Sequence, residues 1–241
     1  YKLREEFPQG IEREAERQAA RKISAEDIAD RKDLRDTLIV TIDGEDTRDI
    51  DDAVSLERLG TEYLLGVHIA DVSHYVKYRS PLDKEAFSRG TSVYFPDRVL
   101  PMLPRALSNG ICSLNEGEDR LTLSCIMRVD KKGAVKDSEI VKSVIRSTHR
   151  MTYTEVTQIL NGDEETCKKY ADVKDMIFLF AELTNILKTM REKRGSIELD
   201  VKEAKIMLDD DGNIVIPDYE RSLSHEIIEQ FMVLANETVA E

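Results

Sequence analysis

Acidic side chains crowd one short segment of the sequence, TIDGEDTRDIDDAV, in which six of the ten positions from Asp43 to Asp52 carry a carboxylate. Two like charges about 4 Å apart repel by roughly 1 kcal/mol in water and by about 4 kcal/mol in a partly desolvated site. Such a cluster favours cations that neutralise it. Its ligands are oxygens, without Cys or His, so it predicts Mg²⁺ or Mn²⁺ rather than zinc. Because Mg²⁺ shares ligand oxygens with substrate phosphates, the segment indicates phosphate chemistry.

Two other interpretations of this acidic segment compete with a catalytic metal site. Acidic runs are commonly solvated surface, but this one contains a single basic residue, Arg48, and several apolar ones: Ile42, Ile50, Ala53 and Val54. A calcium-binding EF-hand loop requires glycine at its sixth position. Counted from Asp43, the sixth position is Arg48, so the EF-hand pattern fails.

The residues around the acidic segment predict how it is positioned. The apolar, β-branched run DTLIVTI before it is typical of a strand, so Asp43 should lie at a strand end and Gly44 in a turn. AVSLERL and EYLLGVHIADV, joined around Gly60, predict a hairpin directly after it. Loops fixed to rigid strands are common locations of functional sites. We therefore expect the acidic loop at one end of a sheet.

Other patterns along the chain predict an α+β fold, with a mixed, largely antiparallel sheet packed against helices. Residues 1–30 form a peripheral helical lead-in with a capping box at SAED, and the Pro-rich stretch 93–110 is irregular. A second hairpin turns at 131–133, and a strand pair flanks the turn DDDGN at 209–213. Further helices are predicted at residues 81–89, 153–160, 173–193 and 222–241.

Composition is that of a single globular domain, with 241 residues, 41% hydrophobic and 34% charged. Cys112, Cys125 and Cys167 lack CxxC spacing and predict reduced thiols in a cytoplasmic protein without a membrane segment. A net charge of −13 disfavours non-specific nucleic-acid binding, although bound metal ions would invert the local field. His68 and His74 are interpreted as structural rather than catalytic.

Several segments, in order, resemble the catalytic RNB domain of the ribonuclease II family from about residue 30 onward. They are the acidic segment, HIADVSHYV, RGTSVYFPDRVLPMLPRALSNGICSLNEGEDRLTLSC, RGSIELD and LSHEIIEQFMVLANETVAE. The resemblance implies an exoribonuclease of the ribonuclease II type. Such an enzyme uses divalent metal to hydrolyse single-stranded RNA processively from the 3′ end to nucleoside 5′-monophosphates. It also implies that this chain adopts the fold of that catalytic domain in truncated form.

The resemblance further implies roles for particular residues. The active-site aspartates would be Asp43, Asp49, Asp51 and Asp52. They would hold Mg²⁺ or Mn²⁺, as two ions when substrate is bound. Asp51 would affect turnover most directly, and Glu45 and Asp46 would support the ligands. Tyr94 would stack on the terminal nucleotide, although a core tyrosine is the alternative. Arg98 and Arg105 would contact phosphates, or serve only as surface or ion-pair residues.

The sequence also departs from the family pattern. An arginine-rich segment and a glutamate expected further along the domain cannot be found, nor can the cold-shock and S1 modules that would grip RNA. We therefore expect a single partial RNB domain over 1–241, lacking the C-terminal part of the domain and weak or inactive alone. The competing functions are a non-catalytic RNA-binding or scaffold protein and a calcium-binding regulatory module. The four clustered aspartates favour the enzyme.

Overall fold

The computed structural model describes residues 3–197, 207–208, 214–215 and 222–241. Within these ranges the strands are β1 Lys32–Asp33, β2 Val40–Asp43, β3 Asp52–Leu59, β4 Glu62–Ala70, β5 Val93–Tyr94, β6 Val99–Leu100, β7 Asp119–Val129, β8 Val135–Arg146, β9 His149–Thr152, β10 Met207–Leu208 and β11 Ile214–Val215. The helices are α1 Gln9–Ala19, α2 Ala25–Ala29, α3 Val72–Tyr75, α4 Pro81–Arg89, α5 Tyr153–Leu160, α6 Glu164–Lys169, α7 Lys174–Lys193 and α8 Leu223–Ala240. A π-helical turn covers Leu107–Ile111.

The main sheet is mixed and largely antiparallel, in the order β1-β8-β7-β4-β3-β2-β9. The hairpins β3–β4 and β7–β8 form its centre, and Gly60 supplies the left-handed turn residue of the first with φ of 62°. β1 pairs with β8 and β9 pairs with β2 in parallel, so β1 and β9 are the two edge strands of the sheet. The predicted α+β fold is therefore confirmed.

Helices α5, α7 and α8 cover one face of this sheet. Alternate residues of the central strands point toward them, as the period-two geometry of a strand requires. The aromatic rings of Phe180 on α7 and Phe231 on α8 are fully buried and meet edge to face, with their centroids 5.4 Å apart. No helix in the described ranges combines the length and apolarity needed to cross a membrane.

The chain before residue 30 is less peripheral than the sequence predicts. The capping box at Ser24 and Asp27 is confirmed, but α1 buries Ile11 and Ala15 in a second apolar cluster with Leu82 of α4. The charged face of α1 dominates its composition and conceals this short apolar stripe. This apolar contact attaches the helical lead-in to the rest of the protein.

Other differences concern short elements with weak local signals. The stretch 93–110 contains the β5–β6 hairpin and the π-helical turn, and neither β9 nor α6 is predicted. β10 and β11 pair as expected, whereas their turn at 209–213 and the end of RGSIELD at 198–200 lie outside the described residues. The helices at 81–89, 153–160, 173–193 and 222–241 are confirmed within a residue or two.

A polar network lies on the sheet face opposite α5, α7 and α8. His68 is buried, and its Nε2 lies 3.2 Å from the Ser55 hydroxyl and its Nδ1 2.6 Å from that of Ser124. Burial lowers the pKa of His68 to about 4, so the ring is neutral at physiological pH. Because Ala53 opposes His68 and Asp52 opposes Ile69 in the register, His68 points away from the face that carries Asp52.

We expect Gly66→Ala to destabilise the fold, because its Cβ would lie 2.4 Å from the Ser55 hydroxyl and 2.7 Å from His68 Nε2. Overpacking of this kind costs about 1–3 kcal/mol. Urea unfolding measures the change. Gly10→Ala is the matched control: nothing lies within 4 Å of its Cβ, and alanine favours helix α1. Equal unfolding free energies for the two variants would contradict this prediction.

Candidate active site at the acidic loop

The acidic residues lie at one end of the sheet, where β2 ends and β3 begins. Asp43 is the last residue of β2, and Asp52 is the first residue of β3. Between them Ile50 is completely buried in an apolar cluster with Ile39 and Leu114. Because the Ile50 side chain packs in the interior, the neighbouring side chains face outward. Ile50 thereby helps to position the carboxylates of the acidic loop.

Backbone hydrogen bonds fix the second half of the acidic loop. The Ser113 hydroxyl donates to the carbonyl of Arg48 at 2.9 Å and accepts from the Ile50 amide at 3.1 Å. The Ala70 amide donates to the carbonyl of Asp51, also at 2.9 Å. These contacts hold the chain without engaging the Asp51 carboxylate, which is exposed.

Arg150 fixes the first half of the loop and is a residue that the sequence interpretation missed. It lies on β9 opposite Thr41 of β2. Its Nη2 donates to the carbonyls of Thr47 and Glu45, the latter at 3.3 Å. Arg150 and Ser113 are each distant in sequence from the loop, and only the parallel β2–β9 pairing reveals the contact of Arg150. Neither residue has a local sequence signal that would identify it.

Mutual repulsion and partial burial perturb the carboxylates. Desolvation, together with the charge of Asp52, raises the pKa of Asp43 to about 7, although Arg150 opposes the change. Desolvation and the charge of Asp51 raise the pKa of Asp52 to about 6. The pKa of Asp51 is also raised, by desolvation and by Asp49, because surrounding protein displaces solvent even from an exposed carboxylate. The four carboxylates therefore interact electrostatically.

These residues fit a hard divalent ion by their chemistry. Asp43 Oδ2 is buried and has no hydrogen-bond partner among the described residues, so that oxygen is available to coordinate an ion. All donors are carboxylate oxygens, as Mg²⁺ prefers. Among the described residues, however, no group of three or more Asp, Glu, His or Cys side chains is arranged to hold an ion. Mg²⁺ tolerates such an open arrangement because it retains water and binds substrate oxygens.

We expect Asp43 to make the metal-free protein less stable as pH rises from 3.8 to about 7, because Asp43 binds its proton more tightly when folded than when unfolded. Below this window both states are protonated, and above it the full cost of the charge is present. Asp43→Asn should flatten this slope in urea unfolding measured in EDTA. Asp46→Asn, in the exposed part of the same loop, is the control and should retain it. An unchanged slope in Asp43→Asn would refute the prediction.

The three residues predicted to bind substrate, Tyr94, Arg98 and Arg105, lie in different surroundings. The Tyr94 hydroxyl donates to Asp49 Oδ2 at 3.0 Å, and its side chain is 66% exposed, which excludes the core alternative. Arg98 forms ion pairs with Glu5 at 3.2 Å and Asp97 at 3.3 Å. Arg105 is exposed and forms no ion pair within the described part of the chain. The structure thus brings Tyr94 to the acidic loop, and the phosphate contacts of the two arginines stay predictions.

Comparison with known proteins agrees with the family resemblance. A family model described as RNB domain matches residues 31–241. Ribonuclease R of Thermotoga maritima is 52% identical over 239 residues, which cover 98% of this chain and 33% of that protein. The structure of Mycoplasma genitalium RNase R in complex with ribose-methylated single-stranded RNA has a TM-score of 0.87 at 32% identity, covering 99% of this chain and 37% of that one.

The fold also occurs in a protein described as lacking nuclease activity. The structure of yeast Ssd1, a pseudonuclease, has a TM-score of 0.71 at 19% identity, covering 91% of this chain and 27% of that one. At this identity the likeness concerns the fold alone. The chain spans only 33% of the length of the Thermotoga relative, so the activity of a whole relative does not transfer to it automatically. Because the family model matches nearly all of the sequence, the chain belongs to the RNB domain family.

Proposed function

We propose that this chain is the catalytic portion of a 3′-to-5′ exoribonuclease that hydrolyses single-stranded RNA processively to nucleoside 5′-monophosphates with Mg²⁺ or Mn²⁺. Support comes from its family and from relatives named ribonuclease R. The observation that carries the proposal is the arrangement at the sheet end. There the charges of Asp49, Asp51 and Asp52 lie near enough to Asp43 to raise its pKa, and the Tyr94 hydroxyl donates to Asp49.

Each part of this site has a task that its geometry allows. Divalent ions, when bound by the four aspartates, supply the Lewis-acid chemistry that phosphodiester hydrolysis requires. Arg150 and Ser113 restrain the loop against the repulsion of its own carboxylates. The exposed ring of Tyr94 offers a stacking surface for the last nucleotide, and stacking on any base contributes about 1–3 kcal/mol. Sequence-independent binding of a terminal nucleotide suits an exonuclease.

The alternative is an RNA-binding protein that has kept the fold and lost the chemistry, and the fold likeness to Ssd1 shows that the fold does not exclude it. A binding module has no use for carboxylates that repel one another and the RNA phosphates. Their raised pKa values show that the folded protein bears this cost. Because the protein retains this electrostatic cost, the enzyme is favoured over the RNA-binding protein.

A 5′-labelled oligoribonucleotide distinguishes the two functions. We expect progressive shortening from the 3′ end that stops when EDTA is added. The assay uses the 241-residue chain and a chimera in which this sequence replaces the matching segment of Thermotoga maritima ribonuclease R, with the native Thermotoga enzyme as control. RNA binding without shortening in a folded chimera would favour the non-catalytic alternative, and cleavage that persists in EDTA would refute metal dependence.

Several finer statements remain predictions. These are the cytoplasmic location, the cold-shock and S1 modules as partners in a larger protein, and the weak activity of the chain alone. The same assay tests the last of them: equal specific activity of the 241-residue chain and the chimera would contradict it.

A further inference from the structure

The hairpin that carries Tyr94 lies outside the seven-stranded sheet. It consists only of β5 and β6, paired through Val93 with Leu100 and Tyr94 with Val99. A two-stranded hairpin is marginally stable by itself. The orientation of the Tyr94 ring over the acidic loop therefore depends on contacts that attach the hairpin to the rest of the protein.

Arg89, the last residue of α4, supplies such an attachment. Its side chain is only 6% exposed, and Nε pairs with Glu85 of the same helix at 3.0 Å. Nη1 donates to the carbonyl of Pro101, directly after β6, at 3.4 Å. The hairpin base is closed beside it, because the Met102 amide donates to the Ser92 hydroxyl at 3.0 Å. Arg89 thus connects α4 with the base of the Tyr94 hairpin.

The same guanidinium also binds an N-terminal strap, which we define as residues 4–7. It donates to the carbonyls of Arg4 at 3.0 Å and Glu6 at 2.7 Å, and its central carbon lies 3.6 Å from the centroid of the Phe7 ring. From this strap Glu5 reaches Arg98 at the tip of the hairpin. The strap and Arg89 therefore contact the hairpin at its tip and at its base.

These contacts require an arginine. The planar guanidinium donates in three directions at once and stacks on an aromatic ring, whereas lysine presents a single flexible ammonium. None of these Arg89 contacts belongs to the site proposed at the acidic loop. Arg89 nevertheless begins the segment RGTSVYFPDR, which also contains Tyr94. Burial of a charged side chain on backbone carbonyls indicates a positional role.

We propose that Arg89 is a positioning residue that fixes the Tyr94 hairpin above the acidic loop and thereby sets the binding of the terminal nucleotide of RNA. The proposal rests on the proposed stacking role of Tyr94. Arg89 does not touch the RNA: it acts through the hairpin, and the N-terminal strap completes its contacts.

The sequence has no tryptophan, so Tyr94→Trp introduces a single fluorescent reporter at the relevant position. In the 241-residue chain we expect Arg89→Met to lower the fluorescence anisotropy of this tryptophan and to increase its quenching by acrylamide. Arg89→Lys should restore less than half of the difference. Arg13→Met, an exposed arginine of α1, is the matched control and should change neither quantity.

RNA affinity is measured with a fluorescein-labelled oligoribonucleotide and EDTA in the chimera, which retains Tyr94. There we expect Arg89→Met to weaken binding about tenfold, which corresponds to about 1.4 kcal/mol. On a Tyr94→Ala background the same change should weaken binding less than twofold, because the residue through which Arg89 acts is absent. An equal loss on both backgrounds would overturn the proposal.

Two further outcomes separate the proposal from the proposed function. Unchanged anisotropy and quenching in a folded Arg89→Met variant would overturn the positional role of Arg89. If these change while Arg89→Met and Tyr94→Ala each leave RNA affinity constant, the positional role stands and the stacking role of Tyr94 is refuted. Should Arg89→Met fail to fold by circular dichroism, Phe7→Ala replaces it, since it removes the ring beneath the guanidinium and keeps the buried charge paired. It must then lower the anisotropy.

Discussion

Asp51→Asn is expected to lower RNA hydrolysis by at least about 10³-fold, the scale of loss seen when charged groups are removed from phosphoryl-transfer centres. The side chain of Asp51 forms no hydrogen bond or ion pair with another described residue, whereas its backbone carbonyl accepts from the Ala70 amide. Asparagine keeps the size of the side chain and this backbone bond. The loss would therefore arise from the missing charge rather than from disturbed folding.

The measurement is the single-turnover rate on a labelled oligoribonucleotide in the chimera. Asp137→Asn is the matched control, because it removes the same charge from an exposed position of β8 outside the acidic loop and should retain most of the rate. Equal rates for the two variants would contradict the assignment of Asp51. In circular dichroism of the 241-residue chain neither variant should unfold below the midpoint of the unsubstituted protein, which separates a chemical effect from a structural one.

The largest expected effect on stability comes from a buried ion pair between Arg31 and Asp71. Their side chains are 4% and 1% exposed, and Nη2 lies 2.5 Å from Oδ2. Arg31 also donates to the carbonyls of Thr122 and Ser143, so it joins the end of the lead-in to β7 and β8. Removing one partner leaves a buried charge uncompensated, so we expect Arg31→Met to lower the free energy of unfolding by about 3–5 kcal/mol.

Urea unfolding of the 241-residue chain measures this change. Arg58→Met is the control, because Arg58 pairs with Glu182 at the surface, where solvent screens the charges. A second comparison uses Arg31→Met with Asp71→Leu, which removes both charges and should cost less than Arg31→Met alone. If Arg31→Met changes stability no more than Arg58→Met does, the buried pair is not a major source of stability.

The parts of the site that follow from local sequence were predictable. A β-branched run before Asp43 predicts a strand end, and the alternation after Asp52 predicts the next strand. The high density of carboxylates between Asp43 and Asp52 indicates a site for a hard cation. Each of these signals lies within a few residues of the feature that it predicts, so neither a homologue nor a structure is required to read it.

Long-range contacts could not be predicted in the same way. Arg150 is 105 residues from Glu45, to which it is hydrogen bonded, and Arg89 is 85 residues from Arg4. Isolated arginines of this kind look like ordinary surface charges in a sequence. The hairpin of Tyr94 was also missed, since its two-residue strands carry almost no periodic pattern and lie among prolines.

The parallel pairing of β2 with β9 has a consequence for the order of folding. The acidic loop leaves β2 early in the chain, but the strand that completes its edge, together with Arg150, emerges from the ribosome more than a hundred residues later. Contacts that close so long a loop form late, after the local hairpins. A nascent chain that stops before β9 therefore carries all the acidic residues but lacks the Arg150 contacts that restrain the first half of the loop. The acidic loop would be restrained over its whole length only once synthesis has passed Thr152.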